Sequence, residues 1–153
     1  MSDDRFDLQD FLPYLLNQAA EAASRGFQDV YRDRYNLTRT GWRVMANLGK
    51  FGAMTARDIC AISHIEKTKV SRAISALQQQ ALIARSPSDK DGRAEILSLT
   101  PQGQAVFDQL GVQAIAYDQA LRARIGAAEA AALENILRAI TGDAGKSKYF
   151  INS

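Results

Sequence analysis

Short polar and cationic side chains alternate with apolar ones between residues 67 and 77. The apolar residues of this stretch recur at spacings of three and four: Val70, Ala73, Ile74 and Leu77. This spacing predicts an amphipathic helix with one apolar face. The other side holds hydroxyl or cationic groups and no acid: Lys67, Thr68, Lys69, Ser71, Arg72 and Ser75. The stretch can therefore pack on a core while it presents a surface that binds an anion.

These polar side chains suit different parts of a nucleic acid. Lys67 and Lys69 are mobile point charges that suit phosphate oxygens. The planar fork of Arg72 can donate to guanine O6 and N7 together. The hydroxyl residues are short enough to let a helix approach the bases. The alternative is a solvated basic face that has no ligand.

A turn-rich arm follows this helix. The sequence SPSDKDGR is a cluster of turn formers with charges at its tip, and residues 94–99 predict a returning strand. Arg93 is the candidate for a DNA minor groove, whose negative potential attracts arginine. Lys90 is a candidate for a phosphate contact, and Asp91 could hold Arg93 in place. The alternative is that Asp91 and Arg93 form a structural pair that never touches DNA.

A short helix precedes the basic one. Thr55 with Asp58 three places later is typical of a capping box at a helix start. Two consecutive helices and a hairpin together predict a winged helix-turn-helix, in which the second helix enters the DNA major groove.

Other helices have recognisable limits. The first is expected from about Asp10 to Tyr31, and Thr38 is expected to cap the next. That second helix should end at Gly49 or Gly52. The last two are expected to begin at Thr100-Pro101, to break at Gly126 and to end at Gly142.

Three segments are similar to the MarR family of bacterial transcription regulators. IEKTKVSRAISALQQQALIAR resembles the family's recognition helix and the run into its wing. DGRAEILSLTPQG resembles the wing strand and the next helix start, and LTRTGWRVMANL resembles the helix ahead of them. The likeness extends as an order of elements from about Leu8 to Thr141. One departure lies in the wing, where the family often has an Asp three places before Asp91 and this chain has Ser88.

The resemblance implies a mainly α fold with a small β-hairpin, a winged helix-turn-helix with N- and C-terminal dimerisation helices. The expected organisation is a single domain, residues 1–153, with a DNA-binding region at 38–100 and dimerisation helices at 8–32 and 101–153. On pattern alone, a monomer in which these helices are core is equally open. The resemblance also implies an effector pocket between the dimer helices and the DNA-binding region. Its candidate lining residues could equally be core: Tyr14, Phe27, Tyr31, Trp42 and Arg43.

The amino-acid composition limits the classes of function that the chain can have. The chain has 153 residues and a formal net charge of only +2, so charge alone does not argue for nucleic acid. One Cys and one His provide no disulfide framework and no zinc site. There is no Ser/His/Asp order and no Gly-rich phosphate loop, so we expect no catalytic site, metal, cofactor or enzyme activity. Without a leader or a bilayer-length apolar run, we expect a cytoplasmic protein with no membrane partner.

These features favour a sequence-specific DNA-binding transcriptional regulator. We expect a homodimeric repressor that binds a pseudo-palindromic operator on double-stranded DNA and is released by a small phenolic or aromatic effector. The alternative is a protein-interaction module that uses the winged fold without binding DNA. Cys60 could be a redox sensor, although a buried, inert thiol is the preferred interpretation.

Overall fold

The computed structural model describes residues 5–88 and 94–144. In these ranges a 3-10 turn at Leu8–Asp10 precedes six α-helices and three strands. The helices are α1 (Leu12–Tyr35), α2 (Arg39–Phe51), α3 (Ala56–Ser63), α4 (Lys67–Gln79), α5 (Pro101–Ile125) and α6 (Ala127–Ala144). The strands are β1 (Met54–Thr55), β2 (Ile83–Pro87) and β3 (Glu95–Leu99). The predicted mainly helical fold with a hairpin is confirmed.

Threonine hydroxyls begin three of the helices. At the start of α2, Thr38 Oγ1 accepts a first-turn N–H at 3.0 Å, as predicted. Thr55 Oγ1 accepts the N–H of Asp58 at 3.2 Å, and the Asp58 carboxylate accepts the N–H of Thr55 at 3.0 Å, which completes the predicted capping box of α3. Thr100 Oγ1 accepts a first-turn N–H of α5 at 3.0 Å, and Pro101 is the first residue of that helix.

The apolar face of α4 is buried, as its spacing predicts. Its four apolar residues are at most 6% exposed: Val70, Ala73, Ile74 and Leu77. The helix packs against α2 and α3. Those helices contribute Val44, Met45 and Ile59 to the core, each 0% exposed. The opposite face of α4 is left for solvent or a ligand.

The strands form an antiparallel sheet in the order β1-β3-β2. β2 and β3 make the predicted hairpin, with Ile83 opposite Leu99. β1 pairs with the other edge of β3, where Thr55 lies opposite Ile96. The sequence did not predict β1, because two residues are too few to show an alternating pattern. Thr55 also caps α3, so the sheet is joined directly to the helices.

The limits predicted for the first helix are wrong at both ends. Asp10 belongs to the 3-10 turn and does not cap α1. The helix continues past Tyr31 to Tyr35, and Asn36 ends it in the left-handed conformation, with φ 54°. Asn is one of the few residues besides Gly that adopts this conformation at modest cost.

Glycine ends two of the three helices for which a glycine end was predicted. Gly52, one of two predicted ends, caps α2 with φ 82°. Gly126, with φ 110°, separates α5 from α6 as predicted. Gly142 does not end α6, which continues to Ala144.

The chain divides into two compact units, residues 1–113 and 114–153. In the second unit Arg122 donates to Asp118 and to Glu134, each at 2.8 Å. Hydrogen bonds from two arginines lower the pKa of the Glu134 carboxyl, and the bond from Arg138 has a larger effect than the bond from Arg122. Among the described residues, no helix combines the length and apolar character that crossing a bilayer requires.

Candidate nucleic-acid interface

The polar face of α4 is exposed over its whole length. All six predicted contact residues on this helix are exposed: Lys67, Thr68, Lys69, Ser71, Arg72 and Ser75. Thr68, Ser71 and Ser75 are spaced by three or four residues, so their side chains lie along one side of the helix. The hydroxyl side chains are short, so a flat or grooved partner can approach the α4 backbone closely.

The cations of α4 are also free of carboxylates. Within the described part of the chain, Lys67, Lys69 and Arg72 form no ion pair. Arg39 and Arg85 differ, because they contact Glu21 at 2.7 Å and Glu95 at 2.9 Å. Unpaired cations beside one another keep their full attraction for an external anion.

One guanidinium joins the wing, which is the hairpin of β2 and β3, to α4. Arg85 on β2 donates through Nε to Gln78 Oε1 on α4 at 2.7 Å. Through Nη1 it donates to Glu95 Oε2 on β3 at 2.9 Å. Sequence reasoning gave these residues no such role, because only the hairpin register brings Arg85 and Glu95 together. The predicted wing contacts Lys90, Asp91 and Arg93 lie outside the described residues.

The turn between α3 and α4 is fixed without glycine. His64 ends α3 in the left-handed conformation, with φ 53°. Nearby, Asn47 Nδ2 on α2 donates to Ser63 Oγ at 2.8 Å. This bond holds the last turn of α3 against α2, directly before the turn into α4.

Three of the five predicted effector-pocket residues form an aromatic cluster. Phe27 lies 5.8 Å from Tyr31 and 5.7 Å from Trp42, measured between ring centroids. Tyr31 is 2% exposed, and its buried hydroxyl makes no hydrogen bond of standard geometry to the described residues. Tyr14 is half-buried and Arg43 is exposed. Phe27 and Tyr31 of this cluster are part of the core, and the Tyr31 hydroxyl is buried with them.

A cavity of about 510 Å³ lies beside Tyr31, at the junction of α1 and α2. Its other lining residues are Gln28, Arg32, Asn36, Leu37, Thr38 and Arg39. The Glu21 carboxylate holds Arg39 and raises the pKa of this guanidinium, and the nearby Tyr31 hydroxyl adds to the rise. Of the five predicted lining residues, Tyr31 is the one that borders this cavity.

Cys60 is a free thiol of intermediate exposure on α3. The prediction of a buried thiol is therefore wrong in degree. Cys60 lines a cavity together with Lys67, Ser71 and Ile74 of α4.

The three-helix core, the antiparallel hairpin and the free cations of α4 define a winged helix-turn-helix protein of the DNA-binding type. The sequence profile of the MarR family matches residues 35–94. The homoprotocatechuate degradative operon repressor of Escherichia coli is 28% identical over 106 residues, which are 69% of this chain and 71% of the repressor.

Two solved structures are similar in fold over almost their whole length. Bordetella bronchiseptica BpsR, whose DNA binding is regulated by 6-hydroxynicotinic acid, has a TM-score of 0.81 at 25% identity, covering 90% of this chain and 97% of BpsR. The MarR family regulator SPO1453 of Silicibacter pomeroyi has a TM-score of 0.79 at 26% identity, covering 92% and 99%. The chain is thus similar to MarR family transcriptional regulators in the sequence of residues 35–94 and in fold.

Proposed function

We propose that this protein represses transcription by binding, as a homodimer, a pseudo-palindromic operator on double-stranded DNA in the cytoplasm. The observation that carries the proposal is the exposed face of α4 with its unpaired cations. A helix of this kind on a winged helix-turn-helix places its side chains against base edges in the major groove. Two copies related by a two-fold axis bind half-sites about one helical turn, roughly 10 bp, apart.

The residues of α4 divide between two roles in this proposal. Lys67 and Lys69 contact phosphates and supply affinity without sequence preference. Arg72 donates to a guanine, which supplies specificity. The hydroxyls of α4 let the helix sit close to the bases, and Arg93 at the wing contacts the minor groove.

Exposed apolar side chains support the homodimer. An N-terminal apolar surface consists of large side chains that are 44–75% exposed: Phe6, Leu8, Phe11, Leu12 and Leu15. In α6, Ile136 is 55% exposed and Leu137 41%. Large apolar side chains exposed in groups are typical of an interface with a partner. We assign it to a second copy because a palindromic operator requires two-fold symmetry.

The effector in this proposal is a small phenolic or aromatic molecule. The relatives support this class, since one is named for homoprotocatechuate degradation and another responds to 6-hydroxynicotinic acid. In this chain the supporting feature is the buried hydroxyl of Tyr31 beside a cavity and next to two further aromatic rings. An oxygen of a ligand in this cavity could accept a hydrogen bond from that hydroxyl.

The proposal is tested by selecting bound duplexes from a random pool with the purified protein. We expect an enriched, pseudo-palindromic sequence with two half-sites about 10 bp apart. Recovery of random sequence alone would contradict sequence-specific binding, and recovery of single half-sites would contradict the dimer.

The selected duplex then allows the phosphate contacts to be tested. The logarithm of the affinity should fall linearly with the logarithm of the salt concentration. Lys69→Ala should lower the slope by about one if the Lys69 ammonium neutralises one phosphate. Lys50→Ala, at the exposed end of α2, is the matched control and should leave the slope unchanged. Equal slopes for wild type and Lys69→Ala would remove Lys69 from the interface.

A further inference from the structure

The end of α4 is closed by a tight turn that has an unusual residue at its centre. The N–H of Leu82 donates to the Leu77 carbonyl and the N–H of Ala81 to the Gln78 carbonyl, each at 3.0 Å. This is the Schellman pattern, in which the residue after the helix is left-handed and usually Gly. Here it is Ala81, with φ 59°. A non-Gly residue keeps this conformation only where its surroundings hold it.

The start of α5 supplies part of that support. Thr100 Oγ1 donates to the Ala81 carbonyl at 2.6 Å, and the Thr100 N–H donates to the Leu82 carbonyl at 3.1 Å. The same hydroxyl accepts from the N–H of Gly103 at 3.0 Å. A Cβ at Gly103 would lie 1.9 Å from the Leu82 carbonyl oxygen, so the α5 backbone is in direct contact with the turn.

The end of α1 holds the turn from another direction. Gln80 Nε2 donates to the carbonyl of Asn36, the left-handed residue that ends α1, at 3.0 Å. Gln80 Oε1 is buried without a hydrogen-bond partner among the described residues. The Gln80 side chain is thus oriented by its single bond to α1.

We infer that Gln80 and Thr100 are positioning residues that determine which half-site spacing the dimer accepts. The inference rests on the proposed function, in which α4 contacts the bases, α1 carries dimer contacts at Leu12 and Leu15, and α5 lies within the predicted dimerisation segment 101–153. Three short hydrogen bonds and one backbone contact join the end of α4 to α1 and α5. These bonds then hold α4 in position relative to α1 and α5, and moving α4 toward a wrongly spaced half-site would strain or break them.

The experiment compares affinities for the selected operator and for operators whose half-sites are moved by about one or two base pairs in either direction. Thr100→Val removes the hydroxyl at nearly constant volume, and Thr100→Ser retains it. Gln80→Met removes the hydrogen bond to Asn36 and also removes Gln80 Oε1, the buried oxygen that has no hydrogen-bond partner among the described residues. Thr55→Val is the matched control, because Thr55 caps α3 through the same kind of bond and makes no described hydrogen bond to the α4 turn.

Thr100→Val and Gln80→Met should each reduce the preference for the selected spacing by about two- to tenfold, the range that one net hydrogen bond supplies. Thr100→Ser should retain the preference, and Thr55→Val should leave it unchanged. If the variants weaken binding to every spacing by one common factor, the bonds have only a structural role and the inference is wrong. Should Thr100→Val fail to fold, an unchanged preference in Gln80→Met overturns the inference. Failure of the wild-type chain to bind any selected duplex would instead overturn the proposed function.

Discussion

At the scale of single residues, the cationic side chains fall into two groups: those that form an ion pair with a carboxylate and those that do not. Arg39, Arg85 and Arg122 each donate to a carboxylate and hold elements together. Lys67 and Arg72 have no such partner among the described residues. Sequence reasoning found the free cations, because helical periodicity alone decides which side of α4 faces outward. It could not find the structural role of Arg85, whose partners are 7 and 10 residues away along the chain.

We expect Arg72→Ala to weaken binding to the selected operator by about 1–3 kcal/mol and to relax the base preference at one position of each half-site. The reason is that the variant cannot make the bidentate arginine–guanine hydrogen bonds, while its lysines still bind phosphates. The measurement is a binding titration on the selected duplex and on its single-base variants.

Arg124→Ala serves as the control for Arg72→Ala. Arg124 is an exposed arginine on α5, and its removal should leave both affinity and specificity unchanged. If Arg72→Ala weakens specific and random duplexes equally, Arg72 contacts phosphate and not a base.

The Tyr31 hydroxyl gives a second prediction at this scale. Tyr31→Phe should change stability and operator affinity little, because Arg39, which lies near this hydroxyl, keeps its stronger bond to Glu21. The same variant should weaken the release of DNA by an aromatic effector. The measurement is a titration of 6-hydroxynicotinic acid and related aromatic acids against the protein–operator complex.

Tyr35→Phe is the matched control for Tyr31→Phe. Tyr35 Oη donates to Gln109 Oε1 at 2.7 Å at an exposed site, so this variant loses a hydrogen bond but should retain the effector response. An unchanged effector response in Tyr31→Phe would remove Tyr31 from the effector site.

At the scale of elements, the helix starts that have threonine caps were predictable and the end of α4 was not. Caps at Thr38, Thr55 and Thr100 depend on side chains close in sequence, so the sequence alone identifies them. The end of α4 at Ala81 depends on bonds from Thr100, 19 residues later, and no local pattern indicates it.

The capping box of α3 should make stability depend on pH. The pKa of Asp58 lies below its ordinary value of 3.8, chiefly because its carboxylate accepts the backbone N–H of Thr55. A lowered pKa stabilises the fold above pH about 4, and this contribution is lost as the pH falls through the folded-state value. Asp58→Asn should therefore be less stable than wild type near neutral pH, by only tenths of a kcal/mol at this exposed site.

The test is urea unfolding of wild type and Asp58→Asn at pH of about 7 and about 3. The difference in free energy of unfolding should be present near neutral pH and shrink at the acidic value. A difference that is the same at both values would show that the carboxylate charge does not contribute.

The contact between α5 and the α4 turn gives a prediction about packing. Gly103→Ala places a Cβ 1.9 Å from a backbone oxygen, so the turn must move. We expect a loss of about 1–3 kcal/mol in the free energy of unfolding. Gly111→Ala is the control on the same helix, because a Cβ there meets nothing within 4 Å. That control should be neutral or gain up to about 1 kcal/mol from helix propensity, and equal effects of the two variants would contradict the packing argument.

At the scale of the whole molecule, the sequence predicted the element order but not the surfaces left uncovered. Phe6, Leu12 and Ile136 are 75%, 60% and 55% exposed. Periodicity cannot distinguish such side chains from core residues such as Phe27, which is 7% exposed, because both recur at helical spacing. Only the fold shows which of these apolar side chains stay exposed among the described residues.

We expect Leu12→Glu combined with Leu15→Glu to produce a folded monomer, because charges on the N-terminal apolar surface oppose its burial against a second copy. Light scattering after size-exclusion chromatography measures the oligomeric state, and the helical circular dichroism reports folding. Phe51→Glu changes a residue of similar exposure at the end of α2 and should remain dimeric. A double variant with the mass of a dimer would place the interface elsewhere.

The pairing of Thr55 with Ile96 has a further consequence for how the molecule opens. Thr55 is at once an edge residue of the sheet and the cap of α3. Separating the wing from its neighbouring strand would also expose the first turn of α3, so neither can fray alone. Amide hydrogens on both sides of this residue should exchange with solvent at one common rate, as a single cooperative event.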